Sequence, residues 1–220
     1  MKDFYNLDGL INLSNFPWDE VHSGLAKSRK SASIFYQHEG ALTQQLKLHL
    51  NADYNKLTAE QKVWYRAISG VKPLKGMDVL LSEPRSWEGA WYKIDSAVWW
   101  RKNSNAVNFP KLFNWIQNCD VFTETGRVIF FIQLQGQCTP PHIDEDRKKI
   151  PAEHANQKEF IWLTPPSNPK KLLIDGVHAG NVVWFNNYIK HETVAEHNVR
   201  WSLRIDGKFT SHFKKRLGII

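Results

Sequence analysis

After Gly126 the chain reads as one short strand after another, with no helix-period segment between them. Arg127–Leu134, Phe160–Thr164, Lys171–Ile174, Gly180–Phe185 and Val199–Asp206 are rich in β-branched and aromatic residues. Pro165-Pro166, Asp175-Gly176 and Gly207 punctuate them. Short strands with Gly/Pro turns and no alternating helices predict a β-sandwich or barrel. The expected class is therefore mainly β with flanking helices.

The helices are expected upstream. Leu10, Ile11 and Leu13 suit a short strand or turn, and Gly40-Ala41-Leu42 opens a helix through Leu46, Leu48 and Leu50. Thr58-Ala59-Glu60-Gln61 is a capping box, in which Thr58 caps and Gln61 reaches back. The helix it starts, carrying Val63, Trp64, Ala67 and Ile68, stops at Gly70. Met77–Leu81 is a short apolar run, and Trp91–Trp100 has strand composition. Asn108-Phe109-Pro110 starts a further helix, with Asn108 as the expected N-cap and Leu112, Phe113, Trp115 and Ile116 on its apolar stripe. At 220 residues this predicts one domain, mostly helical over 1–76 with a β core over 77–210.

Composition narrows the class of function. An apolar share of 42% with 10 Trp is that of a globular protein. The net charge of +7 is spread along the chain, apart from a short cluster at Lys214, Lys215 and Arg216, and no nucleic-acid motif accompanies it. Cys119 and Cys138 do not make a disulfide framework, which fits a reducing compartment. The first residues have no apolar signal core, and no window approaches a membrane span. A cytoplasmic protein with a small-molecule partner, rather than a membrane or nucleic acid, is the expectation.

The chemistry centres on Thr139-Pro140-Pro141-His142-Ile143-Asp144. The prolines hold the approach extended. On an extended backbone His142 and Asp144 project to the same face, so one nitrogen and one oxygen ligand point at one spot. A second His would complete the two-His, one-carboxylate set used by non-haem Fe(II) oxygenases. Among nine His, His191 is the best partner, 49 residues on, a span that two strands and a turn can fold back over. Arg200-Trp201-Ser202 adds an anion site. On a strand Arg200 and Ser202 share one face, while Trp201, Leu203 and Ile205 share the other and can enter a core. A guanidinium beside a hydroxyl recognises a carboxylate.

The order His142-x-Asp144, His191, Arg200-x-Ser202 resembles the 2-oxoglutarate/Fe(II)-dependent dioxygenases. Gly180-Asn181-Val182-Val183-Trp184-Phe185-Asn186-Asn187, ending in His191, is similar to that family's Gly-Asp-x-x-x-Phe-(Asp/Asn)-Asn…His strand. The resemblance covers residues 109–207, and it is nearest to the aspartyl/asparaginyl β-hydroxylase branch, which includes free-proline hydroxylases. It implies a double-stranded β-helix, the jelly-roll or cupin-like core. It also implies Fe(II) held by His142, Asp144 and His191, and 2-oxoglutarate held by Arg200 and Ser202. With O2 as the third reactant, an amino acid or amino-acid-like molecule, free or peptide-bound, would be hydroxylated, with succinate and CO2 as coproducts. The animal aspartyl hydroxylases lack the carboxylate ligand, whereas Asp144 is present here, so peptide-aspartate hydroxylation is not implied.

Arg204, on the Arg200 face of the same strand, can meet an anionic substrate or pair with an acid, and Trp162 and Asn186 are candidate substrate contacts. The polar stretch 145–158 has the character of a lid. Two other classes stay open. A zinc hydrolase can use the same three ligands, but it leaves Arg200-x-Ser202 without a role. A non-catalytic cupin-like binding module leaves His-x-Asp without one.

Overall fold

The computed structural model describes residues 4–28, 78–85, 100–133, 135–136, 138–143, 159–167, 171–186 and 188–220. The helices expected from Gly40 and from Thr58, the strand composition of 91–99, Asp144 and the 145–158 stretch lie outside the described residues. The described chain is mainly β with few helices.

Two antiparallel sheets make the body. The larger has the order β1 (Phe4–Asn6), β10 (Val182–Phe185), β7 (Glu159–Leu163), β12 (Arg200–Phe209), β5 (Phe122–Gln133), β2 (Val79–Leu80). The smaller runs β6 (Thr139–His142), β11 (His191–Thr193), β8 (Leu172–Ile174), β9 (Val177–His178). From β5 onward the chain crosses repeatedly between them: β5, β7, β10 and β12 lie in the first, and β6, β8, β9 and β11 in the second. One hydrophobic cluster joins both sheets, with Leu172 and Ile174 from the smaller and Phe160, Leu163, Val183 and Phe185 from the larger. Fully burying each such side chain is worth about 1.5–3 kcal/mol. A separate hairpin, β3 (Ser82–Pro84) with β4 (Trp100–Lys102), is held to β5 by Ser82 Oγ, which accepts from Val128 N at 2.8 Å.

Several strands differ from their expected limits. β5 begins at Phe122, so its polar first half, Thr123-Glu124-Thr125, carries no apolar signal. β12 continues through Gly207 to Phe209 because the ladder with β5 runs on to Phe122. Phe4–Asn6, rather than Leu10–Leu13, forms the N-terminal strand, and Leu10 N instead closes a turn on Leu7 O at 2.9 Å. β9 follows Asp175-Gly176, both at positive φ (48° and 80°), the primed turn that matches hairpin twist and requires Gly or a short polar residue.

The helices lie against the outer face of the larger sheet. α1 (Trp18–Lys27) brings Trp18 to 6.2 Å from Trp201, whose ring also meets Phe130 edge-on at 5.3 Å. Close approach is made possible by Gly24, where a methyl would stand 2.6 Å from the Phe109 ring and 2.9 Å from the Asn108 carbonyl. α2 (Pro110–Asn118) buries Leu112, Phe113, Trp115 and Ile116, as the stripe requires, with Pro110 at its first position. Its cap is not Asn108, whose Nδ2 donates to Ser28 Oγ at 3.2 Å. Glu20 of α1 takes the role, its two oxygens accepting from Lys111 N (2.9 Å) and Leu112 N (2.8 Å). A full negative charge there also suits the helix dipole. A last helix, α3 (Ser211–Arg216), is capped by Thr210 Oγ1, which accepts from Phe213 N at 3.0 Å. Among the described residues no helix is long and apolar enough to cross a membrane.

Candidate metal centre and anion site

β6 and β11 are neighbours in the smaller sheet, and their register sets His142 directly opposite His191. The two imidazole centroids are 4.3 Å apart. His191 is the first residue of its strand and is buried, while His142 is half-buried. The turn before His191 fixes its ring. Asn186 Oδ1 accepts from Tyr188 N at 3.1 Å, and Ile189 N returns to Asn186 O at 2.9 Å. Ile189 O then lies 2.9 Å from His191 Nδ1. A carbonyl only accepts, so Nδ1 carries the proton and the neutral ring keeps its lone pair on Nε2. This backbone partner is the kind that orients metal-ligating imidazoles. Asn186, read in the sequence as a substrate contact, thus has its side chain in the turn that delivers His191.

The wall facing this pair comes from the larger sheet. Phe185 stands 4.7 Å from His191, so the Phe185 face looks toward the smaller sheet. The ladders place Phe160, Trp162, Phe131 and Gln133 on that face, with Arg200, Ser202, Arg204 and Asp206 in a row along β12. Trp162 is buried and stacks on Phe131 at 5.4 Å. Ser202 is fully buried, and its Oγ makes no hydrogen bond among the described residues. A buried hydroxyl in that condition costs about 1–3 kcal/mol unless something else completes it. The opposite face carries Trp201, Leu203 and Ile205 into the core, as their alternation requires.

The two arginines of the row sit in different surroundings. Arg204 is sealed in: its Nε donates to Asp206 Oδ1 at 2.8 Å and its guanidinium lies 3.9 Å from the Phe160 ring centroid. Arg127 Nε donates to the other oxygen of Asp206 at 2.9 Å. Arg204 therefore has the acid partner that was one of its two expected uses. Arg200 lies at the far end of the row, opposite Gln133, whose Nε2 donates to Val194 O, just past the end of β11, at 2.6 Å. Its Nη2 is 3.3 Å from Glu196 Oε2, and Lys171 Nζ is 3.2 Å from Glu196 Oε1. The Lys171 ammonium, and after it the Arg200 guanidinium, hold the Glu196 carboxyl below the usual carboxylate range.

The donor set suits a divalent metal and a carboxylate ligand. Two imidazoles converge, one with its tautomer set for coordination through Nε2, and a buried, unsatisfied hydroxyl lies on the wall beside Arg200. No group of three or more His, Cys, Asp and Glu able to hold a metal occurs among the described residues, from which Asp144 is missing. Sequence reasoning did not find Glu196, Lys171, Asp206 or Arg127. Only Asp206 carried a signal, being two residues beyond Arg204 on one strand face.

No protein-family model matches the chain, and no curated protein does. Among solved structures it is similar to an oxidoreductase of the 2OG-Fe(II) oxygenase family from Burkholderia pseudomallei. Identity there is 11%, over 76% of this chain and 90% of that one, with a TM-score of 0.35. It is also similar to a prolyl-4-hydroxylase from Pseudomonas putida, at 15% identity over 48% of this chain and 68% of that one, with a TM-score of 0.30. A third is a prolyl 4-hydroxylase structure from Phytophthora capsici, at 13% identity over 70% and 54%, also with a TM-score of 0.30.

Proposed function

We propose that this chain is a non-haem Fe(II)- and 2-oxoglutarate-dependent dioxygenase with a jelly-roll core over β5–β12. Its prime substrate would be an amino acid or amino-acid-like molecule, free or peptide-bound. The observation that carries the reading is the register of β6 and β11, which sets His142 against His191 at 4.3 Å. Asp144, two residues beyond His142 in the sequence, is the proposed third ligand. The alternation of eight strands between two sheets supports the jelly roll.

His142, Asp144 and His191 would hold the iron. When bound, Fe(II) with 2-oxoglutarate and O2 supplies the oxidising power for hydroxylation, and succinate and CO2 leave. The chain's own residues do the rest. His191 presents Nε2 because Ile189 O holds the proton on Nδ1. Arg200 supplies positive charge for the far carboxylate of 2-oxoglutarate, and the buried Ser202 Oγ, opposite Phe131 in the ladder, donates to it. The stacked Phe131–Trp162 pair and Phe185 keep water from that wall.

The test is metal analysis combined with succinate production from 2-oxoglutarate across a panel of amino acids and short peptides. Fe(II)-dependent succinate supports the dioxygenase. Zinc retention with hydrolysis and no succinate would replace it with a hydrolase.

A further inference from the structure

The carboxylates on Arg200 and Arg204 are held in contrasting ways. Asp206 is fully buried and bonds two arginines at 2.8 and 2.9 Å, within the range of strong charge-assisted contacts. Glu196 approaches Arg200 by a single oxygen at 3.3 Å, beyond that range. It stands on the non-strand connection 194–199, and its backbone is anchored separately, its carbonyl accepting from Gly136 N at 2.9 Å. Its second oxygen lies by Lys171, whose side chain is 52% exposed. The Glu196 side chain can therefore leave Arg200 without moving the backbone and without losing a counter-charge.

We propose that Glu196 is a resident, exchangeable carboxylate on Arg200, which a ligand carboxylate displaces toward Lys171. The inference rests on the reading of Arg200 as the 2-oxoglutarate anchor and adds what the anchor holds beforehand. A ligand carboxylate making two short bonds to the guanidinium outcompetes one long contact, and Lys171 keeps the displaced Glu196 neutralised. Affinity for 2-oxoglutarate is then set partly by an internal competitor. Glu196 is thus a positioning residue that governs access to Arg200.

Calorimetric titration of 2-oxoglutarate into the manganese-loaded protein, which requires no turnover, tests this. Glu196→Gln is expected to tighten binding by roughly two- to five-fold, the scale of losing one long, single-oxygen ion contact. Glu196→Asp keeps the charge but shortens the reach, and it should tighten binding similarly. If only the Gln variant binds more tightly, the effect is general charge and the exchange is wrong. Lys171→Met should weaken binding in the natural background and have no effect beside Glu196→Gln. Weakening in both backgrounds would make Lys171 a direct ligand contact and overturn its role as acceptor. Wild-type binding with Glu196 variants no tighter would overturn the exchange alone. No 2-oxoglutarate binding by any variant would overturn the anchor reading together with it.

Discussion

Asp206→Asn is the substitution through which the inner row of β12 is best examined. Its carboxylate is fully buried, and each oxygen accepts from a different arginine, Arg127 and Arg204, whose side chains are 3% and 4% exposed. Asn keeps the shape and removes the charge, so the packing against Phe160 is preserved and the electrostatic loss is isolated. Breaking a buried ion pair by removing one partner costs about 3–5 kcal/mol, because the remaining charge stays buried. Here one change affects two arginines, so the upper part of that range is expected. For a chain of this size about 1 kcal/mol moves the melting temperature by roughly 2–4 °C, so a loss of about 4–5 kcal/mol gives a drop of about 8–20 °C. Urea unfolding followed by fluorescence should show a lower midpoint with an unchanged slope. A loss below about 1 kcal/mol would mean that Asp206 is not the principal counter-charge for either arginine. Glu196→Gln, by contrast, should leave the midpoint essentially where it is.

Further outcomes follow from other contacts. Glu20→Ala removes the carboxylate that caps α2 from a neighbouring helix and should cost about 1–2 kcal/mol in the same unfolding assay. Gly24→Ala gains helix propensity but sets a methyl against Phe109 and the Asn108 carbonyl, so a net loss of about 1–2 kcal/mol is expected. Arg200→Ala should raise the Michaelis constant for 2-oxoglutarate roughly ten-fold or more with iron content unchanged, and Ser202→Ala should do so more mildly. If Arg204→Ala impairs 2-oxoglutarate use in a protein that stays folded while Arg200→Ala does not, the anchor is Arg204.

What could be read from residues alone depended on how local the determining contact is. Period-2 alternation separates Trp201, Leu203 and Ile205 from Arg200, Ser202 and Arg204, and a strand imposes that division wherever it pairs. The Asp175-Gly176 turn was legible, because both residues must take positive φ, yet β9 after it was not, since Val177-His178 is too short to show a pattern. The α2 cap escaped because its partner, Glu20, is about ninety positions away, and nothing local distinguishes it from Asn108. Likewise β1 forms only because Phe4, Tyr5 and Asn6 meet Phe185, Trp184 and Val183. At the site the residue types of His142 and His191 were legible, and their opposition across two strands followed only from register. The partners of the arginines were not: Arg127 reaches Asp206 across 79 positions, and Glu196 lies in a connection with no periodicity.

The most direct test of the proposed centre is Fe(II) binding under anaerobic conditions with 2-oxoglutarate present, measured per chain for the natural protein and for His142→Ala, Asp144→Ala and His191→Ala. About one Fe(II) per chain is expected for the natural protein, falling well below that in all three variants while the far-ultraviolet spectrum is retained. Undiminished iron in the His191→Ala protein would contradict the centre.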